Sequence, residues 1–199
     1  SPQFEERRRG FSFLEPDEPL DMRYNSGGDS SAAASIVNSA TEAELIRIFR
    51  EYGEESLAAE IAAEIIEQRQ KNKIETVKDL VGIILEVYRR KLKSKKDVPW
   101  VGGLHPATKV FQALRIAVND ELGVLERVLP QIVGLLATGG RAAAITFHSL
   151  EDRIVKHYFK EQDGKTLRVV NKKPMVATRE EVEKNSRAGS AKLRVIVKI

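Results

Sequence analysis

For about seventy residues from position 32 the apolar residues of this chain recur at helical spacing, and at His105 that period gives way to helices alternating with short apolar runs. A chain carrying both patterns folds as two differently built parts, an all-helical one and the tail of an open α/β sheet. In the first, Thr41 followed three residues later by Glu44 is a capping-box signature, and Leu45, Ile46, Phe49 and Tyr52 make an apolar face that stops at Gly53. Leu57, Ala58, Ile61, Ala62, Ile65 and Ile66 repeat the spacing while Glu60, Glu64 and Glu67 point away. Thr76 with Asp79 opens a third helix through Leu80, Val81, Ile84, Leu85 and Tyr88. It runs into Arg89 to Lys96, six basic residues in eight. Two readings of that run stand: a solvated helix end whose cations complement the macrodipole, or a contact to RNA phosphates.

In the second part Pro106 suits a first helical turn, and Val110, Phe111, Leu114, Val118, Leu122, Leu125 and Leu129 give two amphipathic segments. Gly139-Gly140 turns the chain into Ala142 to Phe147, expected to be a central buried strand. Ser149 with Asp152 is the expected cap of the next helix, and Leu167 to Val170 and Leu193 to Ile199 are two further strands. Residues 1 to 31 hold no long period and read as a loop. The expected division is therefore 1–31, 32–104 and 105–199.

Composition narrows the chemistry. Among 199 residues, 42% are apolar and 31% charged, with no run resembling a membrane helix or secretion signal, so the cytoplasm is the expected compartment. No cysteine means no disulfide or thiolate site, and three scattered histidines make a poor metal set, so no metal is expected. A net charge of +4 permits a polyanionic partner without requiring one. The chain opens on Ser1-Pro2-Gln3 rather than Met, which fits a shortened start.

Two constellations can carry function. Ligands of open α/β sheets bind beyond the carboxyl ends of strands, and His148 and Ser149 sit at such an end, beside a helix N-terminus; the alternative is a cap and a loop residue. Thr108, Gln112, Arg115 and Asn119 share one helix face, with hydrogen-bonding amides where Lys and Glu are usual. They suit either a ligand or a neighbouring loop. No glycine-rich nucleotide loop is present.

The runs RGFSF (Arg9 to Phe13), PLDMR (Pro19 to Arg23), HPATKVFQALRIAVNDEL (His105 to Leu122), FHSLEDRIVK (Phe147 to Lys156) and NSRAGSAKLR (Asn185 to Arg194) resemble the MraW/RsmH family of methyltransferases, in order along nearly the whole chain. The resemblance implies the C-terminal part of a Rossmann-like class I methyltransferase sheet with an inserted all-helical subdomain. Residues 1–31 would continue the methyltransferase core, 32–104 would be the insertion, and 105–199 the closing half of the sheet. It implies S-adenosyl-L-methionine-dependent N4-methylation of a cytidine in 16S ribosomal RNA near the decoding centre. Roughly a further hundred residues would precede Ser1, with Gln3 the one cofactor contact that maps here. The fragment alone is then expected to bind no cofactor and to be inactive.

Cytosine's amino nitrogen is a weak nucleophile because its lone pair is delocalised, so catalysis rests on holding the unstacked base and aligning that nitrogen. His148, Ser149 and Asn119 are the candidates for lining the pocket, and Arg115, Lys172, Lys173, Arg187 and Lys192 for holding RNA phosphates. Ser186 and Gly189 depart from the family's usual Pro and Arg, which weakens the grip expected of that segment. The expected partners are 16S ribosomal RNA in the small subunit and a second copy of the chain, because an unfinished sheet leaves apolar surface at Leu114, Val118, Ile145, Phe147, Ile154 and Val195. A non-catalytic RNA-binding or interaction fragment is the rival reading.

Overall fold

The computed structural model describes residues 9–25, 27, 31–93, 101 and 103–199. The chain divides into two compact units, residues 1–120 and 121–199.

The first unit is helical: α1 (Ala33–Ser39), α2 (Glu42–Glu51), α3 (Ala58–Lys71), α4 (Val77–Leu92) and α5 (Thr108–Asn119). Both capping boxes form as the sequence predicts, Thr41 with Glu44 on α2 and Thr76 with Asp79 on α4. Leu45, Phe49, Ile61, Ile65, Leu80, Ile84 and Leu114 are fully buried together. The expected division at 104/105 and the division by compactness differ by α5, whose apolar face packs into this helical core. Leu114 and Val118 are consequently covered, contrary to the expectation that they would be bare.

Residues 9–25 are wedged into the same unit. Ala33 and Ala34, at the start of α1, donate their N–H groups to the Asp21 and Leu20 carbonyls at 2.8 and 2.7 Å, satisfying donors that a helix leaves open. Leu20 in turn donates to the Glu75 carbonyl ahead of α4, and its side chain is buried. Gly10 has φ +67, and a Cβ there would lie 2.4 Å from the Pro19 carbonyl oxygen, so only glycine fits this turn.

The second unit contains α6 (Glu121–Leu135), β1 (Arg141–Thr146), α7 (Ser149–Gln162), β2 (Leu167–Val169), β3 (Met175–Val176), α8 (Arg179–Lys184), a 3₁₀ turn over Ser186–Ser190 and β4 (Lys192–Lys198). The sheet order is β1-β4-β2, with β3 also on β4, and every pairing is antiparallel. Because β1 and β2 both oppose β4, they run parallel to each other, joined through α7 as in an α/β crossover, with β4 inserted between them. The fold class is α/β, as read from the sequence. The strand expected to be central is instead an edge among the described residues, where β1 pairs only with β4 and β4 occupies the middle. The short β3, α8 and the 3₁₀ turn were not expected from the periodicity.

One face of this sheet packs on α6 and α7 through Leu129, Val133, Val155, Phe159, Leu167 and Ile196. On the other, Ile145 is 60% exposed, and Phe147, just past the strand, is 53% exposed. Ile154, by contrast, packs against the core, and Val195 is half-buried.

Candidate active site

The β1–α7 junction is built by a cap. His148, in extended conformation at φ −141, is the N-cap of α7: its Nδ1 accepts the Glu151 N–H at 3.4 Å, and Glu151 Oε2 accepts the N–H groups of Phe147 and His148 at 2.8 and 3.2 Å. The cap expected of Ser149 with Asp152 is therefore shifted by one residue, and Ser149 is the exposed first residue of the helix. With Nδ1 accepting, the neutral imidazole carries its proton on Nε2, 3.5 Å from Glu151 Oε1. Ligand atoms of Glu121, His148 and Glu151 lie within 4.8 Å of one another. His148 and Glu151 are engaged in the cap, and a ring using Nδ1 as acceptor offers Nε2–H as a donor rather than a lone pair.

Asp152, freed from capping, meets Arg194 instead. The guanidinium donates from Nε and Nη2 to the two carboxylate oxygens at 2.7 and 3.0 Å, and the residues are only 8% and 6% exposed. The hydrogen bonds from Arg194 hold the Asp152 carboxyl below the ordinary carboxylate range against the opposing effect of burial. Lys192 Nζ lies 3.5 Å from the same carboxylate. This pair ties the start of α7 to β4.

Asn171 performs a related task where β2 stops. Its Oδ1 accepts the Val195 N–H at 2.7 Å and its Nδ2 donates to the Leu193 and Lys173 carbonyls at 2.9 Å, standing in for a strand along β4 until β3 pairs with Leu193. Lys172 and Lys173 are thereby held exposed just past the carboxyl end of β2. Lys192, opposite Thr146, lies at the same edge of the sheet as the carboxyl end of β1 and His148. Four of the expected residues of this unit, His148, Lys172, Lys173 and Lys192, thus share one edge. Arg187 is exposed on the preceding 3₁₀ turn, whose start is capped by Asn185 Oδ1 accepting the Arg187 N–H at 3.2 Å.

Asn119 belongs to the other unit, where its amide is committed to backbone. Oδ1 accepts the Tyr24 N–H at 2.8 Å, and Nδ2 donates to the Met22 and Arg115 carbonyls at 2.8 and 2.9 Å. It fixes a segment in which Met22 adopts φ 61, a strained angle for a side-chain-bearing residue. On the same face Gln112 Nε2 donates to the Tyr52 carbonyl at 3.0 Å, so of the two readings of this face the neighbouring loop is the one the geometry favours. Arg115 is half-buried on this helix. Gln3 lies outside the described residues, as does Ser94 to Lys96 of the basic run. Three of the four described cations of that run face carboxylates, Arg89 pairing with Glu86, Arg90 with Glu64 and Lys91 with Glu60, while Lys93 is the exposed C-cap of α4.

Asp152, Arg194 and Asn171 were missed as site-building residues. Arg194 had a signal: it shares the inward face of its strand with Ile196, a place where a cation requires a carboxylate.

A parallel strand pair with an antiparallel strand between them, and polar side chains gathered at the carboxyl edge, define an α/β protein of the Rossmann-like type, here with a helical unit. The chain belongs to the MraW methylase family, whose model matches residues 1–199. It is 49% identical over 191 residues to the ribosomal RNA small subunit methyltransferase H of Dictyoglomus thermophilum, covering 96% of this chain and 60% of that protein. The proteins of the same name from Synechocystis sp. and Limosilactobacillus fermentum are 48% and 44% identical, each covering 100% of this chain and 61% and 66% of their own lengths. The chain therefore spans about three-fifths of the length of the relatives it matches. Among the described residues, no helix is long and apolar enough to cross a membrane.

Proposed function

We propose that this chain is the substrate-side part of an enzyme that transfers the methyl group of S-adenosylmethionine to the amino nitrogen of a cytidine in 16S ribosomal RNA. The observation that carries the reading is the single polar edge holding His148, Ser149, Lys172, Lys173 and Lys192, in a chain whose relatives are called ribosomal RNA small subunit methyltransferases. On this reading His148 and Ser149 border the flipped base at the end of β1. Lys172, Lys173, Lys192, Arg187 and Arg115 hold phosphates. Asn119 is a positioning residue that acts through the 22–24 loop rather than on the base.

The described residues do not fit a complete site for the methyl donor. The β1–α7 junction carries Phe147-His148 and no glycine-rich turn, and we assign the cofactor contacts other than Gln3 to the part of the relatives' length that this chain does not span.

The test joins the chain to the part of the Dictyoglomus thermophilum relative that it does not match, and supplies tritiated S-adenosylmethionine with small ribosomal subunits lacking the modification. Label entering the small-subunit RNA supports the reading. RNA binding with no label entering it supports the rival, a non-catalytic RNA-binding piece.

A further inference from the structure

The second unit holds a cavity of about 250 Å³ between the later turns of α7 and the segment following β2. Phe159 and Val169 give it an apolar wall, and Lys156, Lys160 and Lys172 are exposed around it. Among the described residues none of these three lysines has a carboxylate within ion-pair distance. Asp163 also borders the cavity, with its Oδ1 engaged by the Val169 N–H at 2.9 Å. The remaining lining cation is Arg194, 6% exposed, whose Nε and Nη2 are taken by Asp152. Its Nη1 makes no hydrogen bond among the described residues. Since Asp152 neutralises Arg194, three lysines stand against one aspartate, and the cavity carries an excess of positive charge.

Charge and shape together select the ligand. Cations alone would suit any polyanion, but an apolar wall beside them suits a phosphate attached to a flat, poorly solvated ring. The concavity admits one splayed nucleotide and excludes a duplex, whose bases are stacked away from side chains. Its position also fits: Val169 and Lys172 flank the carboxyl end of β2, on the sheet edge that carries His148. We propose that this cavity is a single-stranded RNA subsite that takes a nucleotide other than the reacting cytidine, with its phosphate on Arg194, Lys156, Lys160 and Lys172 and its base against Phe159 and Val169. The inference rests on the reading that the substrate is RNA.

The test measures fluorescence anisotropy of a labelled oligocytidylate with the 199-residue chain across a salt series. Lys156→Gln, Lys160→Gln and Lys172→Gln are combined in one variant, all at exposed positions, and the fold is checked by circular dichroism. Affinity is expected to fall about tenfold or more, and the log–log salt slope by about 0.7, the value for one lost phosphate contact on a single strand. The same exchange at Lys71, Lys165 and Lys184, outside the cavity, is expected to leave the slope near the parent's. Equal affinity and slope in parent and cavity variant overturn the proposal. So does displacement of the strand by duplex RNA or polyglutamate as readily as by unlabelled oligocytidylate. The readout is binding without methyl transfer, so its failure leaves the transferase reading intact, and a transferase that fails to label RNA does not mimic it.

Discussion

Replacing Asp152 by Ala isolates the interaction that joins α7 to β4. The carboxylate and the Arg194 guanidinium meet through two hydrogen bonds of 2.7 and 3.0 Å at positions 8% and 6% exposed. Their net contribution relative to an apolar pair is small, because both charges lose their hydration, yet removing one partner strands the other and costs about 3–5 kcal/mol. Against a total stability of about 5–15 kcal/mol this is a large fraction. At about 2–4 °C per kcal/mol for a chain of this size, the melting temperature should fall by roughly 10 °C. Asp152→Leu combined with Arg194→Met should recover most of that loss, since no charge is then buried alone. The pH dependence has a definite sign. Asp152 has a folded-state value lowered by Arg194, so its stabilisation is present above the ordinary carboxylate value and is lost as pH falls through the folded one. The gap between parent and Asp152→Ala should therefore be full at neutral pH and close below about pH 4. Melting curves by circular dichroism measure it. An Ala variant melting within about 2 °C of the parent at neutral pH, less than the shift expected of 1 kcal/mol, refutes the reasoning.

Asn119→Ala should destabilise the helical unit by about 2–3 kcal/mol through three lost hydrogen bonds, read by urea unfolding, with any loss of methyl transfer following the loss of fold; a stable but inactive variant would make Asn119 a direct participant. Gly10→Ala, which places a Cβ against the Pro19 carbonyl at φ +67, should cost about 1–3 kcal/mol, and an unchanged unfolding midpoint would show that the 9–25 segment is not held as described. The isolated chain should self-associate through the edge of β1 that no described strand pairs and the exposed Ile145 and Phe147, so light scattering should return a mass above one chain, and a monodisperse monomer would count against it.

Local chemistry was legible and pairing was not. Thr41 with Glu44 and Thr76 with Asp79 announce helix starts through neighbours three residues apart, and the structure has both. At the β1–α7 junction the same rule misled, because Ser149 is the preferred capping type and His148 is not, while Glu151 rather than Asp152 is in register to return the second hydrogen bond. The apolar run ending at Phe147 marked a strand, but whether it lies at the centre or the edge depends on Lys192 to Lys198, some fifty residues away. The Asp152–Arg194 contact, 42 residues apart in sequence, is invisible to spacing for the same reason. On α5, Gln112 and Asn119 stood out as amides on a helix face, but an amide that grips a ligand and one that grips a loop look alike until the loop is seen.

The most direct test of the transferase reading identifies the product. Small-subunit RNA treated with the joined enzyme and S-adenosylmethionine is digested to nucleosides and analysed by mass spectrometry against authentic standards. The account predicts a methylated cytidine with the methyl group on N4, absent when the cofactor is omitted. Methyl groups found only on a ring carbon, on ribose or on another base would contradict it.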